Sequence, residues 1–511
     1  MLPIQIIGGQ PKLAAALGQQ AGKLIPQKSK DIPFSPVGIG LEKADAEIYD
    51  PSAAYPYIGD LGVKWVRIQS GWARCEKERG VYDFGWLDGM VDGISAQGAS
   101  PWICLCYGNP VYDTRAPAGS RACGIAPLSE EVMRAWLAYV LQVVRRYKGK
   151  VRYYEIWNEP DGTHCWKSGV NGKEYGRLVR RTAECIKKAD AGARILAGSM
   201  CNLIRLDRFC GDIGIRFDGD AAVSNFFEDW LSEAADCIDH VTVHLYRPDP
   251  EGKAGALYRY IRKTLGKYRK GIGIVQGETG THAAFSRAGA LNAFEWTDEK
   301  QAKYLLRRLY TDIVHGAFFT SYFSMFDMYE SHANIPARLT RENFGFYGVL
   351  GAVFDGNGNF TGGYYRRPSY YALQNLCAIF SRGAKRCGRE FRFAALCNAY
   401  WGGSDVSEYD PLKKYLTGDT FRTPEGKKFE MYYMASSVLN VDYGGTVSMI
   451  VERALQEPVF IDTLSGKAYK LHEENVVRED GKTTLLRLPL KDYPCIICDL
   501  ADTDLPLERM E

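Results

Sequence analysis

The stretches VRYYEIWNEP at residues 151–160 and GIGIVQGET at residues 271–279 decide how the rest of the chain is read. Each is a short apolar run that closes on a polar cluster: Trp157, Asn158, Glu159 and Pro160 in the first, and Gln276, Gly277, Glu278 and Thr279 in the second. Six similar runs accompany them, PVGIGLE at 36–42, VKWVRIQS at 63–70, SPWICLCYG at 100–108, ARILAGSM at 193–200, IDHVTVHLY at 238–246 and FFTSYFSMF at 318–326. Longer amphipathic segments separate them, which is the rhythm of repeated βα units with parallel strands. Eight such strands close a (β/α)8 barrel, and about 345 residues suit that barrel with insertions. The expected fold class is therefore α/β, with a (β/α)8 TIM barrel over residues 34–380.

The segments between the strands carry helix signals. SEEVMRAWLAYVLQVVRRY places Val132, Trp136, Val140, Val143 and Val144 on one stripe, with Ser129 as the N-cap. KEYGRLVRRTAECIKKAD precedes the fifth strand, and DEKQAKYLLRRLYTDIVHG precedes the eighth and ends at Gly316, where a C-cap belongs. After Arg382 short β-type runs follow one another without helices, which predicts a C-terminal β-sandwich over residues 381–511. Residues 1–33 form an N-terminal extension in which PIQII could add an edge strand to that sandwich.

Composition narrows the function. The 511 residues are 46% hydrophobic and 24% charged with a net charge of +3, and mean hydropathy is −0.26. No long basic run is present, so nucleic acid is not an expected partner. No apolar run approaches the roughly 20 residues that a spanning helix needs, so no membrane partner is expected either. The N-terminus lacks a basic n-region before its apolar residues and does not read as a signal peptide. Of the 14 cysteines, many sit inside strands or helices and read as buried free thiols. That reading favours a cytoplasmic, reducing compartment, or a secreted or periplasmic one if a leader was removed. The CxxC at Cys495 and Cys498 lies in a strand, where positions three apart face opposite sides. No metal or cofactor is expected: His240 and His244 are about 13 Å apart along one strand, too far for shared ligation, and no dinucleotide or Walker glycine pattern follows a strand. Oligomeric state is left open.

In a (β/α)8 barrel the site lies at the C-terminal strand ends, and two of those ends carry glutamates. Glu159 and Glu278, three strands apart, can face each other across one cleft, the geometry that two-carboxylate glycoside hydrolysis requires. The Asn-Glu-Pro of strand four, the Glu of strand seven and the His-Leu-Tyr closing strand six resemble glycoside hydrolase clan A, the retaining (β/α)8 glycosidases. Arg67 on strand two, Trp72, RGVYDFGWLD, the Tyr-Gly-Asn at 107–109 and RRPSYYAL near residue 370 make the finer pattern similar to family 39, the β-xylosidase-like group. The resemblance spans most of residues 34–380. It implies a retaining β-glycosidase acting on carbohydrate, with Glu159 and Glu278 catalytic and Arg67, Trp72, Tyr107, Asn109, Asn158, Trp166, His244, Tyr246 and Phe326 around the sugar. By the same resemblance Asn158 would hold the sugar 2-hydroxyl.

The residues themselves assign roles. An Arg67 inside a barrel strand must pair with a carboxylate, most simply Glu278. Arg67 and a Tyr246 hydroxyl near Glu278 would favour its charged, nucleophilic form, whereas a drier, Trp157-lined setting would keep Glu159 protonated as the acid. Plainer readings stand beside these: a helix-start Glu159, a loop Glu278, a turn-capping Asn158, a core His244–Tyr246 pair and a structural Arg67. Aromatics near strand ends, Trp72, Tyr107, Trp166, Trp296, Phe323, Phe326 and Tyr329, are sugar platforms or core. Strand eight has no Trp where many clan members place one, so Phe323, Met325 or Phe326 must substitute. A non-catalytic carbohydrate-binding protein on a degenerate barrel is the alternative, which both glutamates argue against. An aldolase-like barrel would want a strand-end Lys, and Lys64 starts its strand instead.

Overall fold

The computed structural model describes residues 17–113, 125–202, 225–330, 338–398, 402–405, 415–441 and 445–510. Eight parallel strands close a barrel: β1 (Val37–Gly40), β2 (Trp65–Gln69), β3 (Ser100–Leu105), β4 (Tyr153–Ile156), β5 (Arg194–Met200), β6 (His240–Val243), β7 (Gly273–Thr279) and β8 (Thr320–Tyr322). Closure is made by β8 pairing with β1 in parallel, Val37 opposite Thr320 and Ile39 opposite Tyr322. Each expected strand is found, several of them shorter than their apolar runs. Inside the barrel, Trp65, Trp102, Leu196, Val275 and Phe319 form an apolar plug with Tyr153, which sits toward the strand starts and leaves the other end for polar groups.

The helices form where the caps foretell. In α1 (Glu130–Tyr147) the Ser129 hydroxyl accepts from the Val132 N–H, and Val132, Trp136, Val140, Val143 and Val144 are buried. Asn171 caps α2 (Gly172–Ala189) and Thr297 caps α3 (Asp298–Val314) in the same way. Gly316 takes a φ of 71°, the left-handed conformation that a glycine adopts without a Cβ clash. Among the described residues no helix is long and apolar enough to cross a membrane.

Two antiparallel sheets make the sandwich, one of eight strands and one of five. The larger contains a strand from the other end of the chain: Leu17–Leu24 lies between Lys467–Leu471 and Leu507–Arg509. The expected contribution of PIQII falls outside the described residues, and the strand that does join is LGQQAGKL. Eleven of the described cysteines are free thiols, most of them buried.

Helix α3 ties the two halves together. Lys303 Nζ lies 3.1 Å from Asp492 with both side chains fully buried, and it donates to the carbonyls of Leu439 and Val441. Arg307 forms a two-point bond to Glu251 at 2.7 and 2.8 Å and donates to the Ser436 carbonyl at 2.7 Å. Tyr433 of the sandwich donates to the same Glu251 at 2.8 Å. Removing the sandwich would strip these cations of Asp492 and of the Leu439, Val441 and Ser436 carbonyls, leaving only Glu299 to Lys303 and Glu251 to Arg307, and the apolar face beside them, including Tyr310 against Phe421 and Tyr433, would meet water. A chain truncated after Phe380 should therefore aggregate, as read by light scattering and size-exclusion chromatography. A soluble truncated barrel with the full chain's thermal midpoint would contradict this.

Candidate active site

Alternation along β2 and β4 sends Trp65, Arg67 and Gln69, and Tyr153 and Glu155, to one side of their strands. Above the apolar plug this puts a guanidinium in the middle of the barrel. Arg67 is fully buried and donates from Nε to Glu155 at 2.7 Å, from Nη1 to Glu278 at 2.6 Å and from Nη2 to the Asn158 carbonyl oxygen at 2.8 Å. Glu42, which closes β1, lies 3.5 Å from Nη1. Glu155 is held further by the Trp102 indole N–H at 3.1 Å and by the Ser199 hydroxyl. Burial alone would raise the Glu155 pKa, but the charge and hydrogen bond of Arg67 outweigh it and hold that carboxyl below the usual range.

Glu278 accepts from Arg67 at Oε2 and from the Tyr246 hydroxyl at Oε1, 2.8 Å away. Glu159 faces it from the end of β4. One oxygen of Glu159 is 2.9 Å from His244 Nδ1, and the other is 2.5 Å from His164 Nε2. The facing oxygens of Glu159 and Glu278, together with a His244 ring nitrogen, all lie within 4.8 Å of one another. A Cβ at Gly277 would crowd His244 Nε2 at 3.3 Å and touch Glu155 Oε1 at 3.6 Å. Trp157 and Glu159 have φ of 66° and 45°, strained for side-chain-bearing residues and of a kind that concentrates at functional sites.

One electrostatic expectation is reversed. Trp157 is buried as foreseen, and burial does push the Glu159 pKa upward. Hydrogen bonds and charge from His164 and His244 outweigh that push and hold the carboxyl well below its usual value. Glu159 therefore rests as a carboxylate. His164 is one of the groups that the sequence reading missed, and as a loop residue five positions on it carries no strand-end signal.

The other candidates divide. Asn158 lies at Arg67, and its amide donates to Cys165 Sγ at 3.4 Å. Tyr107, 4% exposed, accepts from Gln69 at 3.0 Å and stands edge-on to Trp157. His244 and Tyr246 are both on the glutamates. Four do not reach the cleft. Trp72 is fully buried, stacked on Tyr112 on one side and Tyr139 on the other, so neither ring face is available to a sugar. Trp166 is fully buried between Trp157 and Tyr175. Asn109 braces its own loop by donating to the Glu76 carbonyl and accepting from the Val111 N–H. Phe326 packs into the core against Tyr49 and Tyr364. Phe323 is instead the strand-eight aromatic nearest the site, grouped with Tyr347 and Tyr246. Tyr347, like Glu42 and Glu155, was not foreseen.

Glu159 and His164 also approach Cys165, and Glu159 and Glu278 approach His244, as clusters of potential donor atoms. The His–Glu spacings of 2.5 and 2.9 Å are shorter than the roughly 3.3 Å between two ligands of a tetrahedral ion with bonds near 2.05 Å. As they stand they are hydrogen-bond spacings with a proton between the two groups.

Comparisons agree with this fold. A family model described as beta-galactosidase, glycoside hydrolase family 42, matches residues 52–112, which include β2 and β3. A family 39 glycoside hydrolase from the gut symbiont Bacteroides cellulosilyticus WH2 superposes with a TM-score of 0.61 at 15% identity, covering 93% of this chain and 83% of that one. A monomeric beta-xylosidase from Caulobacter crescentus CB15 gives 0.54 at 16% identity, covering 94% and 97%. A GH30 endoxylanase from Clostridium papyrosolvens C71 gives 0.52 at 13%, covering 94% and 98%. No curated protein sequence matches the chain. At these identities the likeness is one of architecture: the chain has the barrel-and-sandwich fold of these glycoside hydrolases.

Glu42 gives a test of the charge arrangement. Burial, with Glu278 adding to it and Arg67 opposing it, raises its pKa from 4.5 to about 8. Between those values the unfolded chain has lost this proton and the folded chain keeps it, so folding loses stability as pH rises, by up to about 1.4 kcal/mol per unit. Above pH 8 the loss is complete, and below 4.5 it is absent. Glu42→Gln keeps an acceptor for Arg67 and cannot ionise, so its stability relative to wild type should climb steadily from pH 5 to 8 in denaturant titrations. A difference independent of pH would contradict this account.

Proposed function

We propose that the protein is a retaining β-glycoside hydrolase acting on oligo- or polysaccharides by double displacement, with Glu278 as nucleophile and Glu159 as acid/base. The observation that carries this reading is the close approach of two carboxylates with different partners. Retaining enzymes hold their two carboxyls about 5–5.5 Å apart, whereas inverting ones leave about 6.5–9.5 Å for a water. Oxygens within 4.8 Å support the former.

The partners support the division of roles. Glu278 is bonded to a buried guanidinium and a phenol, which fix and aim the carboxyl that attacks the anomeric carbon. Asn158 is held by Arg67 beside it, where its amide suits a hydroxyl of the sugar being cleaved. Tyr246, Phe323 and Tyr347 form an aromatic wall over the same place, suited to stacking on a sugar face. Glu159, paired with two imidazoles and no guanidinium, is the group assigned to change protonation state: it gives a proton to the departing oxygen and then takes one from the water that releases the sugar.

Shortening each glutamate separates the roles. Glu278→Ala should abolish turnover of every β-glycoside. Glu159→Ala should lose about 10²–10⁴-fold on poor leaving groups and far less on the first step with dinitrophenyl glycosides, after which it stalls for want of a base. Azide, which needs no deprotonation, should intercept that intermediate and give a β-glycosyl azide. Leaving-group dependence and a rescued β product with Glu278→Ala would reverse the assignment, and wild-type rates in both variants would place the site elsewhere.

A further inference from the structure

Glu159 is engaged on both oxygens, and the two imidazoles that engage it differ. His244 is fully buried just past β6, while the His164 ring is 54% exposed on the loop after β4. The His164 ring folds back over Gly162, where a Cβ would come within 2.3 Å of it. A free site of this kind contradicts simple acid catalysis, because the oxygen that must protonate the leaving group already faces a histidine.

We propose that His164 is a positioning residue that stores the proton which Glu159 delivers, so that the two side chains work as one acid. The inference rests on the acid/base role given to Glu159 above. In the resting site the pair holds one proton, carried on His164 Nε2 beside an ionised Glu159. As substrate enters, the proton passes to Glu159 Oε2, the neutral ring turns away into solvent, and the glycosidic oxygen takes its place. The bond from the anomeric carbon to that oxygen breaks with its electron pair remaining on the oxygen, which takes the proton from Glu159, while a Glu278 oxygen bonds the anomeric carbon. In the second step water attacks that carbon, the Glu278 bond breaks, and the proton of the water passes to Glu159 and back to His164.

Coupled sites titrate as a pair, and the last proton leaves such a pair at a higher pH than it would leave the carboxyl alone. Other charged or titratable groups face Glu159: His244 and Tyr246 from β6, Glu278 from β7, Asp161 from its own loop, Cys201 after β5, and Tyr347. None of them shares its Oε2 contact. Asp161 accepts from the Cys201 and Asn202 N–H groups and acts on Glu159 through charge.

The test compares wild type, His164→Gln and His164→Ala in the full chain. Glutamine keeps an N–H donor near Nε2 and carries no titratable proton. The measurement is the pH profile of kcat/KM with a methoxyphenyl and a dinitrophenyl β-glycoside, with unfolding midpoints as a check that the half-exposed substitution leaves the fold intact. With the methoxyphenyl substrate both variants should lose activity on the basic side, the limb moving toward acid by a unit or more, a tenfold or larger loss above it. With the dinitrophenyl substrate, which needs little acid assistance, the limb should barely move. A His164→Gln profile that matches wild type would overturn the proposal, leaving His164 as a hydrogen-bond donor if His164→Ala is impaired and as a surface residue if it is not. A wild-type chain inactive on every β-glycoside would overturn the proposed function, and this inference with it.

Discussion

The buried guanidinium of Arg67 is the constraint around which the barrel is arranged. An isolated cation in a dry interior is untenable, and removing one partner from a buried ionic group costs on the order of 3–5 kcal/mol. The chain answers with three acceptors from two other strands or their ends: Glu155 in β4, Asn158 just past it and Glu278 in β7. Trp102 and Ser199 then complete Glu155. Because Arg67 is itself locked, the carboxylate of Glu278 is positioned by the same bonds that satisfy the cation, so stability and orientation share one cause. The nearby Glu42 completes the balance by staying protonated up to about pH 8, which spares the cluster another negative charge.

Much of this was legible in the sequence, for definite reasons. Buried parallel strands are short apolar runs, and the eight of them were countable because the helix cap at Ser129 and the C-cap Gly316 punctuate the chain. Glu159 and Glu278 stood out as carboxylates closing such runs, and Arg67 as a cation within one. By the same criteria Glu42 closes β1 and Glu155 interrupts β4, so both signals were present and unread. The aromatics failed for a different reason. A Trp just past a strand end faces either the cleft or the surrounding helices according to the local turn, and Trp72 and Trp166 took the second course into the core. His164 depends on how a loop folds back, which residue order alone does not encode.

The sandwich could be foreseen from its strand-only rhythm, but not its reach. Leu17–Leu24, rich in Gly and Gln, has little strand character of its own and is recruited by two ready-made neighbours. Lys303, Arg307 and Arg308 carry charges that a helix usually turns to water, yet all three are buried. Local pattern reports a residue's chemistry, and long-range partners such as Asp492 and Glu251 decide whether that chemistry faces water. The second domain thus braces α3, the helix leading into β8.

The central claim, that Glu278 becomes covalently bound to the sugar, can be tested directly. A 2-fluoro β-glycoside with a dinitrophenyl leaving group slows both steps and lets the intermediate accumulate, and peptide mass spectrometry of the inactivated protein locates the label. The account predicts one glycosyl adduct, on the peptide containing Glu278 and lost on prolonged incubation with water. An adduct on Glu159, or hydrolysis with inversion and no adduct at all, would contradict it.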